Sequence, residues 1–387
     1  MEAANANAVD LETFGREVAA WVAEADVPTV PHDVDERFEV LRAWQKTLYE
    51  AGWVGVDWPA EFGGRGLSLL HQAEVMRRLI AADAPLPVAI VNLVVAGPTL
   101  IGFATDEQRE RHLPTMLAAE EIWCQGFSEP DSGSDLASLR TSARDDGDDF
   151  IVNGQKVWTS YAHRADFCAL LARTDKEAPP HKGISFLIVD MRTPGITVRP
   201  LGQITGDAEF SEVFFEDVRV PKENLVGPLH GGWGVAMHSL SSERSRILIQ
   251  RHAGADAALG KAIAHLRASG ATLSPDVKRR IGRAQAQLAA LEGQVRKTVA
   301  RVQGKAPPGP VDSVDKLVLT EVEQDVYGLI YDLLGPYRLV GGSEPLGLES
   351  ERWIHDYFYA RSWSISGGTL QIQRNIVAER LLGLPRT

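Results

Sequence analysis

Apolar residues recur at intervals of three and four in LETFGREVAAWVAEA, FEVLRAWQKTLYEAG and LLHQAEVMRRLI, all within the first 121 residues. Positions three and four apart share one face of a helix, so these stretches predict amphipathic helices separated by loops at Pro and Gly. From Ile122 to about Val226 the period changes to two, in FIVNGQKVWTS, GISFLIVDM and FSEVFFEDVRVP. Alternate residues line opposite faces of a strand, and aromatic and β-branched types are frequent here, so this region predicts a sheet. The run Asp145-Asp146-Gly147-Asp148-Asp149 supplies turn chemistry between two of its strands. After Gly231 the helical period returns and runs to the C-terminus, broken by GATLSPD and GKAPPGPVD. Helices, then strands, then helices predict an α+β chain with segregated layers, not alternating βαβ units. The expected domains are an N-terminal helical domain (1–121), a barrel-like antiparallel β domain (122–228) and a C-terminal four-helix-bundle domain (229–387).

Composition narrows the function. The chain has 387 residues, 44% of them hydrophobic, enough for a large core. Its net charge of -12 argues against a nucleic-acid partner, which needs clustered Lys and Arg, and favours small molecules. Cys124 and Cys168 have no close Cys or His companions at ligand spacing, so neither a disulfide framework nor a metal site is expected. The N-terminal MEAANANAVDLETFG lacks a basic segment followed by an apolar one. The longest apolar stretch, PVAIVNLVVAGPTLIGF, contains Asn92, Gly97 and Pro98, so no membrane span is expected and a soluble cytoplasmic protein is the reading. No GxGxxG opens a helix after a strand, which leaves a Rossmann nucleotide site without support.

Three segments carry more specific information: FSEPDSGSD at 127–135, NGQKVWTSYA at 153–162 and GGTLQIQRNIVAERLLGLPR at 367–386. In this order, on a helix–strand–helix chain, they resemble the acyl-CoA dehydrogenase family. The likeness covers essentially the whole chain, including LGQITGDAEFSEVFFEDVRVPKENLVG at 201–227. It implies FAD, an acyl-CoA substrate and α,β-dehydrogenation. A flavin ring is planar and apolar with polar edges, so it needs a flat wall and a few hydrogen bonds. The resemblance implies that Trp158 is that wall and that Gln125, Phe127, Ser128, Thr159 and Ser160 line the ring through backbone or side chain. It implies that Gly368, Thr369 and Gln371 touch the flavin nucleotide, and that Ser134 contacts the acyl-CoA. Read without it, Trp158 is a strand aromatic packed on the sheet, FSEPDSGSD a turn-rich loop, and Thr369 a helix cap.

Most members of that family carry a glutamate where this chain has Gly367. Removing a proton α to a thioester needs a base. Some members place it on a C-terminal helix in a Leu-x-x-Glu-Arg pattern, and this chain has Leu240-Ser241-Ser242-Glu243-Arg244. Periodicity points to the same residue: Ala236, Leu240, Glu243 and Ile247 share one helix face, which sets a carboxylate on an apolar stripe. Desolvation there would raise its pKa, unless a close cation cancels the effect. The plainer reading is a surface Glu–Arg ion pair. By the resemblance, Arg244 contacts substrate, and the Gly367 backbone N–H is half of the oxyanion site, with a flavin ribityl hydroxyl as the other half.

The chain departs from the family in HLRASGATLSPD, where an Arg-x-x-Phe-Gly segment that reaches a neighbouring subunit's FAD is missing. A similar loss, together with Gly-Gly-Thr, occurs in the branch that includes heteromeric sterol side-chain dehydrogenases. A homo-oligomer, with Arg267 nearest to the missing arginine, and a heteromer with a related chain therefore both stay open. So do two other functions on the same fold: a flavin-dependent oxidase or monooxygenase, and a non-catalytic partner subunit. Electron-transfer flavoprotein or another electron acceptor would reoxidise the dehydrogenase.

Overall fold

The computed structural model of the chain describes residues 10–31, 33–270, 272–303, 309–339 and 350–385. Residues 1–9, the GKAPP of the second predicted helix break and Arg386 of the third motif lie outside the described residues.

The three helical patterns near the N-terminus form α1 (Leu11–Glu24), α2 (Val34–Glu50) and α3 (Leu69–Ala81), followed by α4 (Gly97–Phe103) and α5 (Asp106–Leu117). Local chemistry sets their starts. Asp10 and Asp33 accept from backbone N–H groups of the first turns of α1 and α2, and Thr105 and Gln108 form a reciprocal capping box on α5. The long apolar stretch is interrupted as its Asn, Gly and Pro suggest. A wide helical turn at Asn92–Ala96 precedes α4, and the buried Asn92 amide bonds to the carbonyls of Met116 and Glu121 and to the N–H of Trp123. This polar side chain ties the helical layer to the first strand.

The middle region is an eight-stranded sheet: β1 (Trp123–Gly126), β2 (Ser142–Asp146), β3 (Asp149–Ser160), β4 (Phe167–Arg173), β5 (Ile184–Asp190), β6 (Ile196–Leu201), β7 (Phe210–Pro221) and β8 (Leu225–Val226). The strand order is β6-β7-β3-β2-β4-β5-β8, and β1 lies parallel against β4. All other extended pairings are antiparallel. The β2–β3 hairpin turns at the acidic run, with Gly147 at φ 79°, where glycine is favoured. Cys124 and Cys168 face each other in register on β1 and β4, both buried and both free.

Helix then resumes as α6 (Gly232–Ala268), α7 (Pro275–Gln303), α8 (Val311–Leu333), α9 (Ser350–Tyr359) and the short α10 (Leu370–Ile376). Proline opens α7, where its missing N–H costs nothing. The 37-residue α6 packs on α7 and α8 and also reaches α3 and β5, so one helix touches all three regions. Its seam with α8 is fastened by polar pairs: Ser241 with Asp312 at 3.0 Å, and a close ion pair between Arg251 and the fully buried Glu323. Arg301 of α7 bridges Asp312 and Asp315 of α8 at 2.7 and 2.8 Å. A second tie crosses the regions. Asp207, in the β6–β7 loop, receives Arg37 of α2 at 2.6 Å and His355 of α9 at 2.7 Å.

Candidate functional site

Two groups of the expected residues are assembled by separate elements. The first lies where α6, α8 and the loop before α10 meet. Glu243, Arg244, Lys316, Trp363, Ser366 and Gly367 line a small cavity that opens to solvent. The α6 face reads as its period predicts, with Ala236 and Ile247 buried on the stripe that carries Glu243. Gly367 has φ 61°, a left-handed conformation that favours glycine. A Cβ built on Gly367 would stand 3.6 Å from Glu243 Oε1. The carboxylate delivered by α6 thus reaches the space where a side chain at position 367 would begin.

Burial raises the pKa of Glu243, and the nearby Lys316 and Arg244 oppose that rise without cancelling it. The close cation that could have abolished the effect is therefore present, on α8, and burial still prevails. Burial in turn pulls the Lys316 ammonium down to about 8. Arg244 is held below its ordinary range by burial, and its Nε has no hydrogen-bond partner among the described residues. A simple surface ion pair does not describe this arrangement.

The second group sits on β1, the loop after it, and β3. Lys156 and Thr159 flank an irregularity in the β3–β7 register, and within it Trp158 has φ 59°. A bulge re-aims a side chain, and Trp158 is 61% exposed, held only edge-on by Phe210 at 6.1 Å. It is not packed into the sheet. Thr159 is fully buried with an Oγ1 that lacks a partner among the described residues. Ser128 accepts the Val157 N–H at 2.9 Å, which joins the segment from Gln125 to Ser128 to the strand carrying Trp158, Thr159 and Ser160. Phe127 is buried at 4% exposure and packs edge-on against Phe186, so its ring is not available to a ligand.

Several expected residues are less engaged. Ser134 and Gln371 are exposed. Thr369 caps α10, its hydroxyl accepting the Ile372 N–H at 3.3 Å. Gly368 has φ 91°, and a Cβ there would fall 2.7 Å from the Gln373 amide. Arg267 is exposed near the end of α6.

Supporting residues were not legible beforehand. Buried Glu129 accepts the N–H groups of Arg140 and Thr141 at 2.7 and 2.8 Å and pairs with the fully buried Lys156 at 2.8 Å. Lys156 also donates to the Phe127 carbonyl at 2.9 Å. This pair shapes the FSEPDSGSD loop; both residues lie inside the quoted motifs, but no local pattern says that they pair. Gln373, on α10 just after the loop, and Lys316, on α8, both grip the loop around Gly367, and only long-range packing reveals the Lys316 contact. Among the described residues no group of His, Cys, Asp or Glu could hold a metal ion.

A carboxylate in a cavity beside a glycine-rich loop, and an exposed indole on the strand that also carries a buried unpaired hydroxyl, frame the candidate site. Models of acyl-CoA dehydrogenase N-terminal, middle and C-terminal domains match residues 10–120, 124–218 and 230–382. The chain belongs to the acyl-CoA dehydrogenase family, whose members bind FAD. It is 40% identical over 386 residues to acyl-CoA dehydrogenase IpdE1 of Mycobacterium tuberculosis, covering 97% of this chain and 98% of that one. It is 28% identical to the mouse mitochondrial short-chain specific acyl-CoA dehydrogenase, covering 95% and 89%. Among solved structures, a Tcur3481-Tcur3483 steroid ACAD superposes with TM-score 0.86 at 29% identity, covering 97% of this chain and 98% of that one. The ChsE4-ChsE5 complex of Mycobacterium tuberculosis gives 0.82 at 29% identity, with both chains covered in full.

Proposed function

We propose that this acyl-CoA dehydrogenase uses Glu243 as its base, taking the α-proton of an acyl-CoA thioester while hydride leaves the β-carbon. The observation that carries the reading is the Glu243 carboxylate standing 3.6 Å from the Cβ position of Gly367, with its pKa raised by burial. A base poised nearer to neutral pH transfers protons more effectively than an ordinary carboxylate. FAD bound against Trp158 would supply the hydride acceptor. The exposed indole, the unpaired hydroxyls of Thr159 and Ser366, the free Gln373 Oε1 and the close approach allowed by Gly368 fit a planar cofactor with polar edges and a nucleotide tail. The residues proposed to hold it are Gln125, Phe127 through its backbone, Ser128, Trp158, Thr159, Ser160, Gly368, Thr369 and Gln371. Ser134 and Arg244 are proposed for the acyl-CoA, and the Gly367 N–H for the thioester oxygen as negative charge develops there. Electron-transfer flavoprotein or a comparable acceptor would complete the cycle.

The acyl group we expect is bulky or ring-bearing. Small residues, Ser366 and Gly367, line the cavity beside the base, and a structural relative is a steroid ACAD. The test is anaerobic bleaching of the flavin by a panel of acyl-CoAs. Bleaching by the wild type and not by Glu243→Gln supports the reading, and preference for short straight chains in kcat/KM would count against the bulky substrate. Oxygen uptake matched to turnover would favour an oxidase instead.

A partner subunit is a second proposal with its own support. Leu381, Leu382 and Leu384 at the end of the helical region are 43, 65 and 54% exposed, a run of large apolar side chains that an interface would cover. One related structure is a complex of two differently named chains.

A further inference from the structure

We propose that Lys316 is a positioning residue that fixes the oxyanion-donating peptide of Gly367 and couples it to the base; this rests on the function proposed above. Its ammonium donates to the Ser366 carbonyl in a close contact and to the Gly368 carbonyl at 2.7 Å. Gln373 donates to the Gly367 and Gly368 carbonyls at 3.1 and 3.2 Å. All three consecutive carbonyls are therefore drawn toward donors of the protein. The peptide between Ser366 and Gly367 is trans, so its N–H points opposite to the carbonyl that Lys316 holds. Fixing that carbonyl fixes the direction of the N–H.

The bond also polarises the peptide. A cation on the carbonyl oxygen withdraws electron density from the amide nitrogen and makes its N–H a stronger donor, as hydrogen bonds in a chain reinforce one another. A donor aimed beforehand at the place where charge will develop needs no reorganisation during the reaction. The same ammonium faces the base. The Cβ position of Gly367 lies 3.3 Å from Lys316 Nζ and 3.6 Å from Glu243 Oε1, so both groups flank one point. The charged groups in this cavity are Glu243 and Arg244 from α6 and Lys316 from α8, and the loop from Ser366 to Thr369 contributes none. Lys316 favours the ionised form of Glu243 against its burial. Removing it would push the carboxyl further up and release the loop together.

The test uses a 3-thia acyl-CoA, whose sulfur at the β-position leaves no hydride to lose, so that only exchange of the α-proton with D2O is read. FAD-loaded wild type is compared with Glu243→Gln, Lys316→Met and Lys316→Gln. Lys316→Met is expected to keep its FAD and its affinity for the thioester while exchange slows about tenfold to a hundredfold and its pH midpoint moves up. Lys316→Gln, which keeps a donor without the charge, is expected to recover part of the rate. Unchanged exchange in Lys316→Met overturns the proposal, as does a slowing that Lys316→Gln does not relieve. If the wild type exchanges no α-proton, the reading of Glu243 has failed, and the clamp is judged by amide hydrogen exchange across residues 365–370. Protection in wild type and Glu243→Gln but not in Lys316→Met supports the clamp, and equal protection in all three overturns it.

Discussion

Glu243 is a single side chain whose role follows from where three segments put it. Its pKa is raised by burial, with Lys316 and Arg244 opposing. A base works only when ionised, so kcat/KM is expected to rise with pH through a midpoint above the ordinary carboxylate value of 4.5. Glu243→Gln should keep its FAD and lose turnover by about 10²–10⁴-fold, with no acid limb left at that midpoint. Turnover close to wild type would remove Glu243 from the mechanism. Gly367→Glu introduces a carboxylate whose Cβ already lies 3.3 Å from Lys316, on a backbone with φ 61°. Two nearby anions raise one another's pKa, so impaired activity is expected in the wild-type background and partial rescue in Glu243→Gln. Stopped-flow reduction by one acyl-CoA checks both variants.

At the scale of elements, the seam between α6 and α8 holds the site open and in register. Arg251 pairs with Glu323 and lies over the rings of Tyr359 and Trp363 at 5.3 Å each, and Trp363 lines the cavity. Glu323 is fully buried, so Glu323→Ala leaves a guanidinium without its counter-charge. Breaking such a pair costs about 3–5 kcal/mol, whereas replacing both members by apolar residues is often close to neutral. Chemical denaturation should show Glu323→Ala strongly destabilised and Arg251→Met/Glu323→Leu largely restored. Equal losses in the two proteins would show that the charges themselves stabilise the seam.

Across the whole molecule, Asp207 joins the three regions through Arg37 and His355. Bonds to Asp207 and Asp356 raise His355 from 6.5 to about 9, and the bond from His355 is the largest effect lowering Asp207 from 3.8 to about 2. The raised histidine contributes stability in full below pH 6.5, and this is lost as pH rises through about 9. The lowered aspartate contributes above pH 3.8, and this is lost as pH falls toward about 2. The tie is therefore strongest between pH 3.8 and 6.5. His355→Gln should lower the melting temperature at pH 6 by about 2 °C, a modest value because the imidazole is partly exposed, and the gap should close above pH 9. Glu209, raised to about 7 by burial, titrates nearby in both proteins, so the difference between them is the quantity to follow. Assembly is checked by light scattering with the flavin-to-protein ratio. A chain that needs a different partner to complete the FAD site should carry substoichiometric FAD alone and recover it when that partner is added, whereas a fully loaded homo-oligomer would eliminate the heteromer.

The sequence by itself determined the order of layers, because the change of hydrophobic period from helical to two and back is local and each element buries the face that its period exposes. It also determined the stripe carrying Glu243, since a 37-residue helix repeats its faces faithfully, and the exchange of glutamate for Gly367 was visible in one motif. Tertiary structure decided the rest. That Trp158 stands exposed depends on a register shift between β3 and β7, set by pairing with a strand some 50 residues on. That Glu243 remains a raised carboxyl beside two cations depends on how deeply two helices and a loop enclose it. Lys316 and the Glu129–Lys156 pair sit in no recognisable spacing, because contacts between residues far apart along the chain are fixed by packing and leave no period to read.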